Sequence, residues 1–328
     1  MTIKKTALIF GIGGQDGYFA SWLLFKKGYN VIGMLLESDL LNETIPHLPT
    51  MNLKLLKSSI CDHEYLRHII RLELPEIIFN FAGISFIPYS WDAPLEVEKI
   101  NGYAVGGILQ IIREESPYTR FFQACSSEMF GHHPVKSPQD EQTPFNPDNP
   151  YGSSKVFAYH LTKNYRERFG IFACSGILYN HESEWRPPAF VSRKITVGVA
   201  EIKLGKKKNL ELGGLETVRD WSYARDIVRA IWFMTTAKEP KDYVLASGSL
   251  HSVRSILDIA FGHVGLDWTK YVVIDQSLKR DSEGKPLCGD SSNARKHLGW
   301  EPKTSFENMI VMMVEHELER LKAGASIS

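Results

Sequence analysis

Tyr151 and Lys155 stand four residues apart in "NPYGSSK", and Ser126 closes the strand-like run "RFFQACS" upstream of them. Residues one helical turn apart share a helix face. A free phenol has a pKa of about 10, and a neighbouring ammonium favours its ionised form. Tyr151 so placed can accept a hydroxyl proton while the carbinol carbon gives up a hydride. Tyrosine, lysine and serine are enough to oxidise an alcohol or reduce a ketone. Glu128, two residues after Ser126 in "ACSSEMFG", is surplus to that chemistry. Alternation along a strand end would put Ser126 and Glu128 on one side. Each feature also has a plain structural reading: Y-x-x-x-K is a common exposed helix contact, and Glu128 could be a charge at a strand end.

Gly11, Gly14 and Gly17 form G-x-x-G-x-x-G between the run "TALIFGI" and the helix-like "QDGYFASWLLFKKG". In that setting the first glycine permits a tight turn, the second admits a pyrophosphate close to the backbone, and the third allows close helix packing. The helix N-terminus then offers free N–H groups to phosphate. A dinucleotide site is expected, although a strand-to-helix turn can also use glycine for steric reasons alone. An oxidised nicotinamide ring beside Tyr151 would add to the pull toward phenolate. The second strand ends in "GMLLESD", with Glu37 and Asp39 and no basic residue. A carboxylate there holds a free ribose diol, whereas a 2′-phosphate calls for arginine. NAD is therefore expected over NADP, unless the acids only cap the following turn.

The elements that must carry these groups are visible as alternation. Apolar runs "TALIFGI", "NVIGMLL", "LKLLKSS", "EIIFNFA", "RFFQACS" and "FACSGILY" are separated by amphipathic segments such as "DHEYLRHIIRLE" and "YGSSKVFAYHLTKNYRERFG". That pattern predicts an α/β fold, a Rossmann-type doubly wound parallel sheet with a smaller C-terminal substrate-binding domain. Residues 1–178 are expected to form the dinucleotide-binding domain, with a later segment near 216–247 returning to it. Residues 179–328 are assigned mainly to the substrate. The stretches "NHESEWRPPAF", "LGGLETVRDWSYARD" and "QSLKRDSEGKPLCGD" read as loops of functional length.

Bulk properties narrow the partners. Lysine plus arginine balance aspartate plus glutamate, 38 against 38, so overall charge recruits neither nucleic acid nor an anionic membrane. The short basic run Lys203, Lys206–Lys208 reads as a helix end or turn. No apolar stretch approaches the length of a membrane span, and the N-terminal apolar run breaks into the glycine loop rather than a cleavage site. Cys61, Cys125, Cys174 and Cys288 have no paired spacing, so neither a metal site nor a disulfide framework is expected. A cytoplasmic protein with reduced thiols is the expectation.

The glycine loop, the serine-bearing strand end and Y-x-x-x-K come in the order and spacing of the extended short-chain dehydrogenase/reductase superfamily. Later segments, "NPYGSSKVFAYHLTKNYRERFGIFACSGILYNHES", "RKI", "LGGLETVRDWSYARD", "DYVLASG", "HSVRSI" and "LGW", make nearly the whole chain resemble the GDP-mannose 4,6-dehydratase family. That resemblance implies a nucleotide-sugar hydro-lyase and gives Glu128 a task. Tyr151, with Ser126 and Lys155, would oxidise C4 of the sugar. Glu128 would take the acidified C5 proton and protonate the departing 6-hydroxyl, and the stored hydride would return to C6. The resemblance also implies cofactor contacts at Gly11, Gly14, Gln15, Asp16, Gly17, Glu37, Ser59, Ile60, Ala82, Tyr151 and Lys155. It implies GDP-sugar contacts at Ser85, Ser127, Asn180, Lys194, Arg219, Arg280 and Glu283, while Asp220 and Trp221 read as structural. A homodimer or homotetramer is implied as well.

The chain departs from the family pattern in places. Leu35 and Leu36 replace arginines after the second strand, Ser59 stands where many members have aspartate, and Ser126 where threonine is usual. Trp185 and Pro187–Pro188 interrupt the common "SPRRGE" that borders the sugar. GDP-mannose is the default substrate, and GDP-D-glycero-D-manno-heptose the alternative. A 4-epimerase or 4-keto reductase using only Ser126, Tyr151 and Lys155 is a second class, which would not remove water. A catalytically idle dinucleotide sensor is a third, which would turn over no GDP-sugar.

Overall fold

The structure is a computed structural model and describes residues 5–278 and 285–324. The first half alternates β1 (Thr6–Phe10), α1 (Gln15–Lys26), β2 (Asn30–Leu35), β3 (Leu53–Lys57), α2 (His63–Glu73) and β4 (Ile77–Asn80). Two short helices, α3 (Ile87–Asp92) and α4 (Pro94–Glu98), lead through a π-helical turn, Lys99–Tyr103, into α5 (Ala104–Glu115). Then come β5 (Arg120–Ser126), α6 (Pro150–Phe169), β6 (Ala173–Leu178) and β7 (Asn180–Glu182). The rest contains α7 (Val191–Lys203), β8 (Leu210–Leu212), β9 (Val218–Tyr223), α8 (Ala224–Thr236), β10 (Tyr243–Leu245) and β11 (Leu250–Ser252). It ends with α9 (Val253–His263), β12 (Val272–Ile274), α10 (Ser292–Leu298) and α11 (Phe306–Lys322).

Seven parallel strands lie in the order β10-β6-β5-β4-β1-β2-β3. β4 and β6 are buried along their full length, as near-continuous apolar runs in a doubly covered sheet must be. Alternation sorts side chains onto two faces. Ala7, Ile9 and Phe79 join one core with α1 and α8, while Leu8, Phe10 and Ile78 join another with α2 and α5. The direction of strand order reverses between β1 and β4. That switch point opens a crevice at the carboxyl ends of the strands, where ligands bind in such sheets. The edge strand β3, "LKLLK", pairs Lys54 with Glu73 and Lys57 with Glu37, charges that discourage edge pairing.

β7, β9 and β11 form a three-stranded mixed sheet, and β8 pairs with β12. The stretch "LGGLETVRDWSYARD", expected as a loop, is mostly ordered: Val218–Tyr223 is the central strand and Ala224 opens α8. Asp220 explains the order. Fully buried, it accepts from the backbone N–H groups of Ser247, Gly248 and Gly289 at 2.9, 3.0 and 3.1 Å. Trp221, also buried, stacks on Phe306. The basic run after α7 is a helix end: Lys203 and Lys206 donate to the carbonyls of Val264 and Leu321.

Candidate active site

β5 delivers Ser126 to its carboxyl end, opposite Leu178 of β6. The chain then turns into a short 3₁₀ segment, Ser127–Phe130, so strand alternation stops at Ser126. What brings Glu128 back beside Ser126 is that turn, in which the Glu128 N–H donates to Ser126 Oγ at 3.2 Å. The expectation of one extended strand end is corrected accordingly. Ser127 is buried beneath the turn, whereas Glu128 is half-buried.

α6 starts with Asn149 as its cap and Pro150 at the first turn. Tyr151 and Lys155 follow on the buried side of the helix, 8% and 5% exposed. Lys155 Nζ donates to the Ala124 carbonyl at 3.0 Å and lies 5.8 Å from the centre of the Tyr151 ring. Burial lowers the Lys155 ammonium from its ordinary value. Burial also pushes the Tyr151 phenol up to about 12; Ser126 and Arg186 pull it back, while Glu128 adds to the rise. Burial is thus the largest influence on the phenol, and the oxidised nicotinamide ring expected beside it would act in the opposite direction.

The glycine loop meets the switch point. Gly11 has φ +77°, and a Cβ there would lie 2.9 Å from the Ala82 nitrogen. A Cβ on Gly17 would come within 2.5 Å of Ile12 Cα, so these two glycines are required by close approach. Gly14 differs, since a Cβ there would meet nothing nearer than the Gly11 carbonyl at 3.5 Å. Its space lies open at the uncapped N-terminus of α1. Exposed N–H groups at such a terminus suit an anion. The residues present fit a dinucleotide pyrophosphate.

The Gln15 side chain and one carboxylate oxygen of Asp16 are engaged away from the glycine loop. Gln15 donates to the His181 carbonyl at 2.9 Å and accepts from Ser183 Oγ at 2.7 Å. Asp16 pairs with His181 Nε2 at 3.0 Å. Burial opposes protonation of His181, but Asp16 outweighs it and raises the imidazole. Asp39 caps the turn after β2, accepting from the Leu36 N–H, and Glu37 pairs with Lys57 at 2.9 Å where both are exposed. The parallel register sets Lys57 opposite Leu35, a basic neighbour invisible in the local sequence. Ser59 accepts from the Cys61 N–H, and Ile60 is buried.

The sugar-nucleotide candidates are more dispersed. Ser85 is exposed in the loop after β4. Asn180 and Arg219 stand on β7 and β9, with Asn180 in register with Trp221 and Arg219 with His251. Lys194 lies in the first turn of α7, and its charge lowers the Asp275 carboxyl, after the hydrogen bonds from Ser277. Arg280 and Glu283 lie outside the described residues. The loop between β7 and α7 is held from behind: Trp185 packs against Tyr18, His47 and His316. Arg193, buried, pairs there with Glu43 and Glu317.

Two polar residues at the site escaped the sequence reading. Asn101, buried in the π-helical turn, accepts from the Ile84 N–H and donates to the Ile84 carbonyl, both at 2.9 Å. It fixes the loop that passes Lys155. Asn149 donates to Glu128 Oε2 at 3.1 Å. Its place before Pro-Tyr marks a helix cap, but not that contact.

A family profile described as GDP-mannose 4,6 dehydratase matches residues 8–313. The chain is 40% identical to GDP-mannose 4,6 dehydratase 2 of Arabidopsis thaliana, over 97% of this chain and 88% of the relative. It is 36% identical to the GDP-mannose 4,6-dehydratase of Vibrio cholerae, over 98% and 96%. Among solved structures it superimposes on a UDP-glucose 4-epimerase from Thermotoga maritima with TM-score 0.85 at 21% identity, over 96% and 99% of the two chains. A dTDP-glucose 4,6-dehydratase from Bacillus anthracis gives 0.84 at 19%, over 97% and 98%; at these identities the two structures speak to the fold. With its fold, its glycine loop and a match along almost its whole length, the chain belongs to the GDP-mannose 4,6-dehydratase family.

Proposed function

We propose that the chain dehydrates a GDP-hexose, GDP-mannose in the first place, to the 4-keto-6-deoxy sugar. The observation that carries the reading is Glu128, folded back beside Ser126 and the Tyr151–Lys155 pair. A nicotinamide dinucleotide held at Gly11, Gly14 and Gly17 would supply a hydride acceptor for C4 and a hydride donor for C6. Tyr151 accepts the proton of the 4-hydroxyl, with Ser126 bonded to the same oxygen and Lys155 adding positive charge. The 4-ketone acidifies C5. Glu128 removes the C5 proton and delivers one to O6, which leaves as water. When the hydride reaches C6, C5 takes up a proton that replaces the one given to Tyr151 by the 4-hydroxyl. Asn180, Lys194 and Arg219 are assigned to the GDP moiety, where guanidinium and ammonium groups suit a diphosphate. Mass spectrometry after incubation with GDP-mannose and with GDP-D-glycero-D-manno-heptose tests the reading. A product lighter by one water is expected, and an epimer of unchanged mass would overturn it.

We assign NAD as the cofactor. The observation is Glu37 at the end of β2, with Lys57 already paired to it. A 2′-phosphate would have to break that pair and face the carboxylate. The purified protein is expected to carry NAD, and no net NADH should accumulate because the hydride is returned in each cycle. Tighter binding of NADP⁺ in a direct titration would reverse the assignment.

The division into a cofactor unit over 1–178 and a substrate unit over 179–328 is supported by the small sheets beyond β6. The returning segment near 216–247 is supported by β10 and α8, which pack with the large sheet. We further assign the chain to at least a homodimer. Leu95, Tyr103 and Phe157 are 78%, 64% and 52% exposed around one surface hollow of about 490 Å³ beside α6. Contiguous exposed apolar surface marks an interaction face. Sedimentation should give twice the 37.2 kDa chain mass or more, and Leu95→Glu should shift it toward monomer; a wild-type monomer would refute the assembly.

A further inference from the structure

Asn149 is committed on both ends of its amide. Its Oδ1 accepts from the Gly152 N–H at 2.8 Å and so caps α6. Its Nδ2 donates to Glu128 Oε2 at 3.1 Å and to Asp148 Oδ1 at 3.2 Å. The side chain is buried, 5% exposed. Asp148 is itself fixed, because the backbone N–H and ring Nδ1 of His132 both meet its Oδ2, at 2.7 and 2.6 Å. These contacts decide which way the amide faces. Reversed, its oxygen would confront two carboxylates and its nitrogen the Gly152 N–H.

Glu128 needs such a hold. It sits on a single 3₁₀ turn, half-buried, on a side chain with three rotatable bonds. Among the described residues Oε1 has no hydrogen-bond partner, whereas Oε2 is tied to Asn149. We propose that Asn149 is the positioning residue of Glu128, anchoring Oε2 so that Oε1 faces C5 and O6 of the bound sugar. The same residue starts the helix that carries Tyr151 and Lys155, so one side chain sets the distance between the two proton-handling groups. The assignment rests on Glu128 acting as the acid–base group of a dehydratase.

Two substitutions separate the tether from the cap, because serine and aspartate both cap helices as well as asparagine does. Asn149→Ser removes the amide donor. Asn149→Asp replaces it with a third carboxylate facing Glu128 and Asp148. Asn149→Ser should stay close to the wild-type melting temperature, and Asn149→Asp should lose some of it through like-charge repulsion. Both should keep the wild-type KM for GDP-mannose. Their kcat should fall on the order of 10–10²-fold, the scale of a misplaced reacting group, with aspartate the worse. Reduced nicotinamide should build up transiently, since C4 oxidation proceeds while elimination lags. Wild-type kcat without that build-up in both variants would overturn the proposal. So would parallel loss of melting temperature and of both chemical steps in Asn149→Ser, which would leave Asn149 a cap alone. Glu128→Gln run alongside keeps the two claims apart. If it accumulates reduced nicotinamide and the Asn149 variants do not, only the tether is wrong. If Glu128→Gln also turns over normally, the dehydratase reading falls first.

Discussion

Tyr151→Phe is expected to stop both halves of the reaction. The ring is 8% exposed, so phenylalanine fits the same space and the helix that carries it should survive. What is lost is the phenol oxygen proposed to take the 4-hydroxyl proton. No hydride leaves C4 until that proton has an acceptor, and without a 4-ketone C5 is not acidic enough for Glu128. The fall in kcat should be on the order of 10²–10⁴, the range for a positioned acid–base group. No dihydronicotinamide absorbance should appear at any time after mixing with GDP-mannose. The raised phenol sharpens this expectation. Burial pushes Tyr151 up to about 12, and an oxidised nicotinamide ring beside it would favour the phenolate. Lys155→Met should therefore weaken oxidation without abolishing it. A Tyr151→Phe enzyme that still reduces its bound dinucleotide would remove Tyr151 from this role.

Much of the fold was legible because strands and helices announce themselves locally. The six apolar runs read as strands are β1 to β6; "QDGYFASWLLFKKG" and "DHEYLRHIIRLE" contain α1 and α2, and "YGSSKVFAYHLTKNYRERFG" holds all of α6 but Pro150. The burial that drives each run is written in its own residues. Contacts across distant segments were not legible. Lys57 meets Glu37 only through the register of two parallel strands. Gln15 and Asp16 look like loop residues facing a phosphate, yet their side chains reach His181 and Ser183 across more than half the chain. "RDWSY" reads as a polar loop until Asp220 is seen capping three backbone N–H groups from two other segments.

The site divides the same way. Residue types and order point to Ser126, Glu128, Tyr151 and Lys155, but alternation was the wrong reason for expecting Ser126 and Glu128 together. A strand rule predicts side chains on one face; the chain instead leaves the sheet, and a backbone N–H to Ser126 Oγ bends Glu128 inward. Asn101 and Asn149 carried no such signal, because a buried asparagine is recognisable only by what its amide touches.

Glu128→Gln should divide the chemistry rather than end it. Glutamine keeps the side-chain volume, and its carbonyl oxygen can still accept from Asn149 Nδ2, so the turn and the start of α6 should hold. It cannot take a proton from C5 or hand one to O6. Tyr151, Ser126 and Lys155 are untouched, so C4 oxidation should continue at least in part. Elimination should slow by a factor on the order of 10²–10⁴. Oxidation that outruns elimination stores the hydride on the cofactor, which makes the block visible as a transient dihydronicotinamide band. Exchange of the C5 proton with deuterated solvent should slow in parallel, because the same carboxylate removes it. The pattern is opposite to that of Tyr151→Phe, in which no band forms. A Glu128→Gln enzyme that dehydrates GDP-mannose at the wild-type rate would mean that another group takes the C5 proton, and the mechanism built on Glu128 would be wrong.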